Sequence, residues 1–295
     1  MKATRPVETL LVRALAAGVR AMPWRASLAF GAGLGDLARG LGVRREVALD
    51  NLACAFPERG DAERQAILAE HYRELGCVCC EYARLPELAH APGDEVVAAA
   101  RGLDHLEAAR AQGRGVILLT GHYGNFELLG AWLARRYPLD IVVQELANPG
   151  VDAILARARR DAGVGLIPRG AGVRRVFHAL RENRCVALVA DQDARRSGVF
   201  VPFFGRCCST PAGPAELALR TGAPLVMGFA LRRPDGRHEL ELLPPLAMPD
   251  THDRAAVIAL TAAHTAVLEE WVRRRPATWF WLHRRWKTAP PEGGC

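Results

Sequence analysis

The chain has 295 residues, 50% of them hydrophobic, a net charge of +7, and lysine only at Lys2 and Lys287, so arginine supplies the positive charge. That length and apolar content suit one large α/β domain or two small ones and exclude extensive disorder. The charge calls for an anionic partner, whether nucleic acid, phospholipid headgroups or a phosphorylated or acidic substrate.

Residues 7 to 43 are apolar and dotted with arginine, and contain Pro23, Trp24 and the glycine-rich "FGAGLGDLARGLG". Charges are spread through the N-terminal segment without a long apolar core, which argues against a secretory signal. They also interrupt each window of the length needed to cross a bilayer, so no spanning helix is expected. The segment suits either a helix pair lying on a membrane or an ordinary helical cover for the core. Residues 1–50 are accordingly set apart as an N-terminal helical, membrane-associating region, ahead of a domain over 51–295.

Between Pro57 and Pro86, "ERQAILAEHYRELGCVCCEYARL" places Ile67, Leu68, Tyr72, Leu75, Val78 and Cys79 at helical spacing. A second helix is expected over 102–112. Beyond it the period changes. Apolar runs of strand length at 115–120, 139–145, 164–168, 185–191 and 223–231 alternate with helical stretches near 126–136, 150–161, 171–182 and 213–221. This predicts a single α/β domain with a central, mostly parallel sheet flanked by helices, preceded by the N-terminal helical region. "RHELELL" at 237–243 alternates as an edge strand paired with its predecessor through "RRPDG", and a long helix over 251–275 precedes the tail "WFWLHRRWK". The cysteines lack zinc-site spacing: Cys77, Cys79 and Cys80 lie in a helical run and Cys207 adjoins Cys208. They are expected to be reduced, mostly buried small hydrophobes.

The chemistry concentrates in "LLTGHYGNFELLG" at 118–130, where a strand gives way to a helix. His122 falls just beyond the strand's carboxyl end, where parallel sheets gather their ligands. Five helical residues would turn Glu127 about 140° from His122. With His122 in the loop and Glu127 in the first helical turn, Gly121 and Gly124 allow a bend that brings carboxylate and imidazole together. Such a pair is a general base, and amides at the helix start near Asn125 would receive an oxyanion. The same residues suit a hydrogen-bonded loop histidine and a carboxylate favoured by the helix dipole. Asp191 ends a second strand in "LVADQDARRSG", with Gln192 beside it, and is expected to position the loop or an arginine such as Arg195; a turn role is the alternative. No ligand cluster suggests a metal. "GVFVPFFG" suits the lining of an apolar pocket or a core-packing loop. The tail's Trp271, Trp279, Trp281 and Trp286, interleaved with arginines, suit a headgroup interface, base stacking or a packed cap.

"GHYGNFE" has the H-x-x-x-x-(D/E) form of the glycerolipid acyltransferase superfamily. With "NLACAFPE" at 51–58, "DQDARRSGVFVPFFGRCCSTPAGPAELALRTGAPLV" at 191–226 and "WFWLHRRWK" at 279–287, it resembles the late lipid A acyltransferases, block by block and in order. The resemblance covers nearly the whole chain. It implies an O-acyltransferase that moves a fatty acyl chain from acyl carrier protein, or another acyl thioester, to a hydroxyl of a lipid A precursor at the cytoplasmic face of the inner membrane. No cofactor, metal or nucleic acid is expected, and an anionic membrane surface is expected as a further partner. By resemblance His122 is the base and Glu127 its orienting partner, while Arg159 or Arg160 binds a substrate phosphate. Asn125, Asp191, Gln192 and Arg195 complete the expected binding set. Other lipids acylated by the same fold family, lysophospholipids, glycolipids or aminolipids, are the alternative acceptors, and a basic nucleic-acid or membrane-binding module is the non-enzymatic one.

Overall fold

The computed structural model describes residues 4–170, 172–291 and 295. Four helices open the chain: α1 (Thr4–Ala21), α2 (Trp24–Gly40), α3 (Arg45–Ala55) and α4 (Asp61–Ala83). The short α5 (Leu85–His90), β1 (Val97–Arg101) and α6 (Leu103–Ala111) lead into alternating strands and helices. These are β2 (Val116–Thr120), α7 (Phe126–Ala134), β3 (Leu139–Val143), α8 (Pro149–Asp161), β4 (Gly165–Pro168), α9 (Val173–Arg181) and β5 (Cys185–Val189). A hairpin of β6 (Val199–Phe203) and β7 (Arg206–Thr210) follows, then α10 (Gly213–Thr221), β8 (Leu225–Arg232), β9 (His238–Leu242) and α11 (Arg254–Arg274).

The strands form a seven-stranded sheet in the order β1-β9-β8-β2-β5-β3-β4, with β6 and β7 paired apart from it. β8, β2, β5, β3 and β4 run parallel, whereas β9 and β1 run the other way. Both faces of β2 are covered, which explains its unbroken apolar run. Ile117 and Leu119 join α9, α10, α11 and the tail on one side; Val116 and Leu118 join α5, α6 and α7 on the other. The resulting helix–sheet–helix sandwich is the expected α/β class.

Particular elements depart from the sequence pattern. β1, "VAAAR", is a strand ahead of the expected second helix, where no strand was expected, and pairs outside β9, so "HELEL" is an internal strand. Alanines give β1 little intrinsic strand signal; its neighbour supplies the ladder. "VFVPF" is a strand, closed by a two-residue turn in which Phe204 and Gly205 both have positive φ, 54° and 67°. Phe203 and Cys208 are buried in the core, so the block is not a lining of the cleft described below. The tail is a packed cap: Trp271, Trp279 and Trp281 are 4%, 1% and 0% exposed, with Trp271 stacked on Phe229 at 4.5 Å. Cys207 is disulfide-bonded to Cys295, 88 residues away, because the chain end returns to β7, a proximity that local spacing does not encode. Cys77, Cys80, Cys185 and Cys208 are free and buried, but Cys79 is exposed. By length and composition α11 would cross a bilayer, against expectation, yet Leu260, Leu268, Trp271 and Val272 on it belong to the core.

The glycines of "FGAGLGD" let α2 press directly on α4. A Cβ on Gly35 would sit 2.0 Å from the Tyr72 carbonyl oxygen, and one on Gly76 would sit 1.9 Å from that of Gly31. Backbone cannot yield as a side-chain tip can. Gly35→Val is therefore expected to destabilise the fold by about 3 kcal/mol or more through overpacking, read as a lower urea midpoint; a midpoint equal to wild type would refute the close contact.

Candidate active site

β2 and β5 are parallel neighbours in a register that places Thr120 opposite Val189. Two residues beyond each, His122 and Asp191 emerge side by side at the same sheet edge. The Nδ1–H of His122 donates to Asp191 Oδ1 at 2.6 Å. Asp191 Oδ2 accepts from the His122 backbone N–H at 2.7 Å and from the Trp279 indole N–H at 2.8 Å. Gly121 makes the approach possible, since a Cβ there would meet Asp191 Oδ2 at 3.0 Å and Leu268 at 2.9 Å. At Gly124 φ is +59° and a Cβ would lie 2.0 Å from the Ala230 oxygen, so the bend needs glycine twice.

Burial disfavours the Asp191 carboxylate, but His122 and its other donors outweigh it and hold the group down at about 2. Burial likewise favours neutral His122; Asp191 first, and Glu127 after it, outweigh that and raise its pKa above the usual 6.5. With Nδ1 committed to Asp191, Nε2 is the atom free to exchange a proton, and the Gln192 amide nitrogen lies 3.5 Å from it.

The carboxylate that orients His122 is thus Asp191, and not Glu127. Glu127 sits in the first turn of α7 and is 6% exposed. Both its oxygens are taken by Arg159 of α8, Oε1 by Nη2 at 2.6 Å and Oε2 by Nε at 3.1 Å. A fork-shaped guanidinium matches a carboxylate better than one imidazole nitrogen does. The Arg159 guanidinium also lies 5.6 Å from the centre of the Tyr82 ring.

A cleft of about 230 Å³ opens between α4, the start of α7 and the tail, lined by His71, Leu75, Val78, Tyr82, His122, Phe126, Glu127, Thr278 and Phe280 among others. Its walls are largely apolar, with the imidazole and the Glu127–Arg159 pair on one side, a suitable place for a chain with a reactive head. The Thr278 hydroxyl donates to the Arg275 carbonyl, and no serine or cysteine is among the lining residues.

The other expected residues separate. Asn125 is 2% exposed and caps α7: Oδ1 accepts from the Leu128 N–H at 2.9 Å, Nδ2 donates to Glu81 at 2.6 Å, and its backbone N–H donates to Ala230. Its polar groups are spent on structure, and it is not among the residues lining the cleft. Arg160 is exposed, a step of about 100° around the helix from Arg159. Arg195 is exposed in a 3-10 turn, and the Asp191 oxygens go to His122 and Trp279 instead. Gln192 alone of the rest adjoins the base.

Several contributors carry no local signal. Asn51 of "NLACAFPE", buried, donates to the carbonyls of Trp281 and His283 at 2.7 and 2.6 Å, which ties that block to the tail. Trp279 reaches Asp191 from the same tail. Behind the His122 loop, Glu81 of α4 binds His238 Nε2 at 2.8 Å, Arg232 and Asn125. The ordered blocks of the sequence therefore converge on one place. Among the described residues no group of three or more His, Cys, Asp or Glu side chains is placed to hold a metal ion.

Proteins of similar sequence match nearly the whole chain. A family model for bacterial lipid A biosynthesis acyltransferases matches residues 1–288. The chain is 29% identical over 276 residues to the lipid A biosynthesis lauroyltransferase of Escherichia coli K12, across 91% of this chain and 88% of that one. It is 28% identical over 276 residues to the palmitoleoyltransferase of lipid A biosynthesis in the same organism, across 91% and 87%. To the phosphatidylinositol mannoside acyltransferase of Mycolicibacterium smegmatis it is 33% identical over 279 residues, across 91% and 88%.

Proposed function

The chain belongs to the bacterial lipid A biosynthesis acyltransferase family, and from that premise we propose that it transfers a fatty acyl chain from acyl carrier protein to a hydroxyl of a lipid A precursor, with His122 as general base. The observation that carries this reading is the His122–Asp191 pair at the mouth of an apolar cleft whose lining offers no serine or cysteine nucleophile. Direct transfer is the chemistry that fits. His122 Nε2 takes the hydroxyl proton as the oxygen attacks the thioester carbon. The tetrahedral intermediate then collapses, the C–S bond breaks, and the sulfur leaves as thiol with the proton returned by the imidazolium. Asp191 steadies that imidazolium and fixes the tautomer. Glu127 lines the cleft with the base, and Arg159, paired to it from α8, is the guanidinium that can help bind a phosphate of either substrate.

The raised pKa of His122 sets the pH dependence. Only the neutral imidazole accepts a proton, so kcat/KM is expected to rise with pH through a single inflection above 6.5. A profile flat from below that value upward would remove His122 from the role. The acceptor is tested by mass spectrometry of lipids from a deletion strain, which should show lipid A lacking one secondary acyl chain. The relative from Mycolicibacterium supports a second acceptor class, a mannosylated phosphoinositide or similar glycolipid; loss of acyl chains there, with lipid A intact, would favour it.

Exposed apolar side chains on α1, Val7, Leu10, Leu11 and Leu15, with Arg13 and Arg20 on the same helix, support peripheral attachment to the anionic cytoplasmic face of the inner membrane. Leu10 and Leu11 are 67% and 63% exposed. Leu10→Asp/Leu11→Asp is expected to lose co-sedimentation with anionic vesicles by about tenfold while its melting temperature stays put. Equal sedimentation of variant and wild type would place the attachment elsewhere.

A further inference from the structure

His71 lies on α4 and lines the same cleft as His122. It is 2% exposed. Its Nδ1 is 3.0 Å from the Ala277 carbonyl oxygen. A carbonyl only accepts, so Nδ1 carries the proton and Nε2 presents a bare lone pair. Burial, opposed by that carbonyl bond, lowers the ring's pKa to about 4, and the imidazole is neutral at physiological pH. Nε2 has no partner in the protein. A buried acceptor without a donor is costly, and native proteins rarely keep one without a use.

The neighbours of His71 narrow that use. His71 and His122 both pack on the Phe280 ring, with centroids 6.3 and 6.1 Å away. The unpartnered acceptor is thus about one aromatic ring from the base. Three other polar side chains of the lining are engaged: Glu74 by Arg232, Glu127 by Arg159 and Thr278 by Arg275. The Tyr82 hydroxyl is, like Nε2, unpartnered.

We propose that His71 is a substrate-binding residue: its Nε2 accepts a hydrogen bond from an uncharged donor, a hydroxyl or amide N–H, on a substrate held in the cleft. A neutral lone pair attracts such a group and repels a phosphate or carboxylate oxygen, so His71 selects by the polarity of what lies beside the reacting carbon. This rests on the reading of the cleft as the site of acyl transfer. Either substrate can bring the donor: the pantetheine arm of the acyl thioester carries amides, and the lipid carries hydroxyls.

The test is steady-state kinetics of the full-length protein in detergent micelles, with acyl thioester and lipid acceptor varied separately. His71→Phe keeps a ring and loses the lone pair, and is expected to raise KM for one substrate about 10-fold with kcat nearly unchanged. The substrate whose KM rises is the one that carries the donor. His71→Gln, which can return an acceptor near the same place, should recover part of the loss. The pH inflection should stay where wild type has it, because it belongs to His122. Unchanged KM for both substrates, or a displaced inflection, overturns the proposal. Should His71→Phe fail to fold, histidine nitrogen NMR of the wild-type protein decides: the His71 Nε2 resonance shifts on saturation with a non-reactive acyl-pantetheine amide or with the lipid acceptor, and no shift with either overturns it. An active His122→Ala would defeat the transfer site itself, whereas an inactive one beside a His71→Phe of normal KM defeats only the role given to His71.

Discussion

His122→Ala is expected to lower acyl transfer by about 10³-fold or more while the protein keeps its melting temperature, since the side chain is partly exposed in the cleft and contributes little to the core. Asp191→Asn should cost at least about 10²-fold by a different route. An asparagine amide can donate to Nδ1 as well as accept from it, so the tautomer with Nε2 as base is no longer enforced. It also removes the anion that keeps the imidazole proton bound, so the pH inflection should move down toward that of an ordinary histidine. The two variants are thereby distinguishable: one lacks the base, the other retains a misdirected and weaker one. Both are read with radiolabelled acyl donor across a pH series. Full activity in purified His122→Ala would end the assignment, and an Asp191→Asn inflection unchanged from wild type would show that another group holds the imidazole. Glu127→Gln should lower that inflection less than Asp191→Asn does, since Glu127 is the smaller of the two charges acting on His122, and should weaken substrate binding because Glu127 answers to Arg159.

Glu81→Ala is expected to cost about 3–5 kcal/mol of stability, the penalty for leaving a buried charge without its partner. Glu81 is 0% exposed and is bonded to Arg232, His238 and Asn125. Without it, among the described residues, Arg232 retains Glu74, at 3.3 Å, as its carboxylate partner. The Asn125 amide loses its anchor as well, and with it the side chain that caps α7 is less firmly set. The contribution is linked to pH. Burial opposes the charged carboxylate, but His238 and Arg232 outweigh it and lower its pKa from 4.5 to about 2. Such a group stabilises the fold above its unfolded pKa, and the benefit fades as pH falls from near 4.5 toward 2. Urea denaturation of wild type should therefore show a falling midpoint across that window, and the variant a lower midpoint at neutral pH with a shallower fall. A variant as stable as wild type at pH 7 would mean that water, and not the protein, satisfies Arg232.

Strand and helix alternation is legible from residue 115 onward because both faces of the parallel strands are covered, so "VILLT" and "CVALV" stand out as unbroken apolar runs between amphipathic stretches. "GHYGNFE" marks the histidine proposed as base, at a strand end, for an equally local reason. The loop position is set by the end of one strand, and the glycines by the bend that follows.

The partner of that base is not local. His122 and Asp191 are 69 positions apart and meet only because β5 lies beside β2 in a register that ends both strands together. The five-residue spacing suggests Glu127 as partner, yet α8 brings Arg159 to it first. In the sequence both residues stand at the close of apolar runs, His122 just after 115–120 and Asp191 at the end of 185–191; their equal offset of two residues from Thr120 and Val189 belongs to the folded sheet. The same distinction separates the rest. "VAAAR" becomes a strand because β9 offers it a ladder, and the tail tryptophans become core because the sheet leaves a face for them to cover. Cys207 meets Cys295 because the chain end returns to the hairpin. Periodicity and turn chemistry act over a few neighbouring residues, so the chain alone marks most of its elements and the loop that carries His122. Pairing, burial of polar groups and the shape of the cleft depend on which elements become neighbours, and the packed fold decides those.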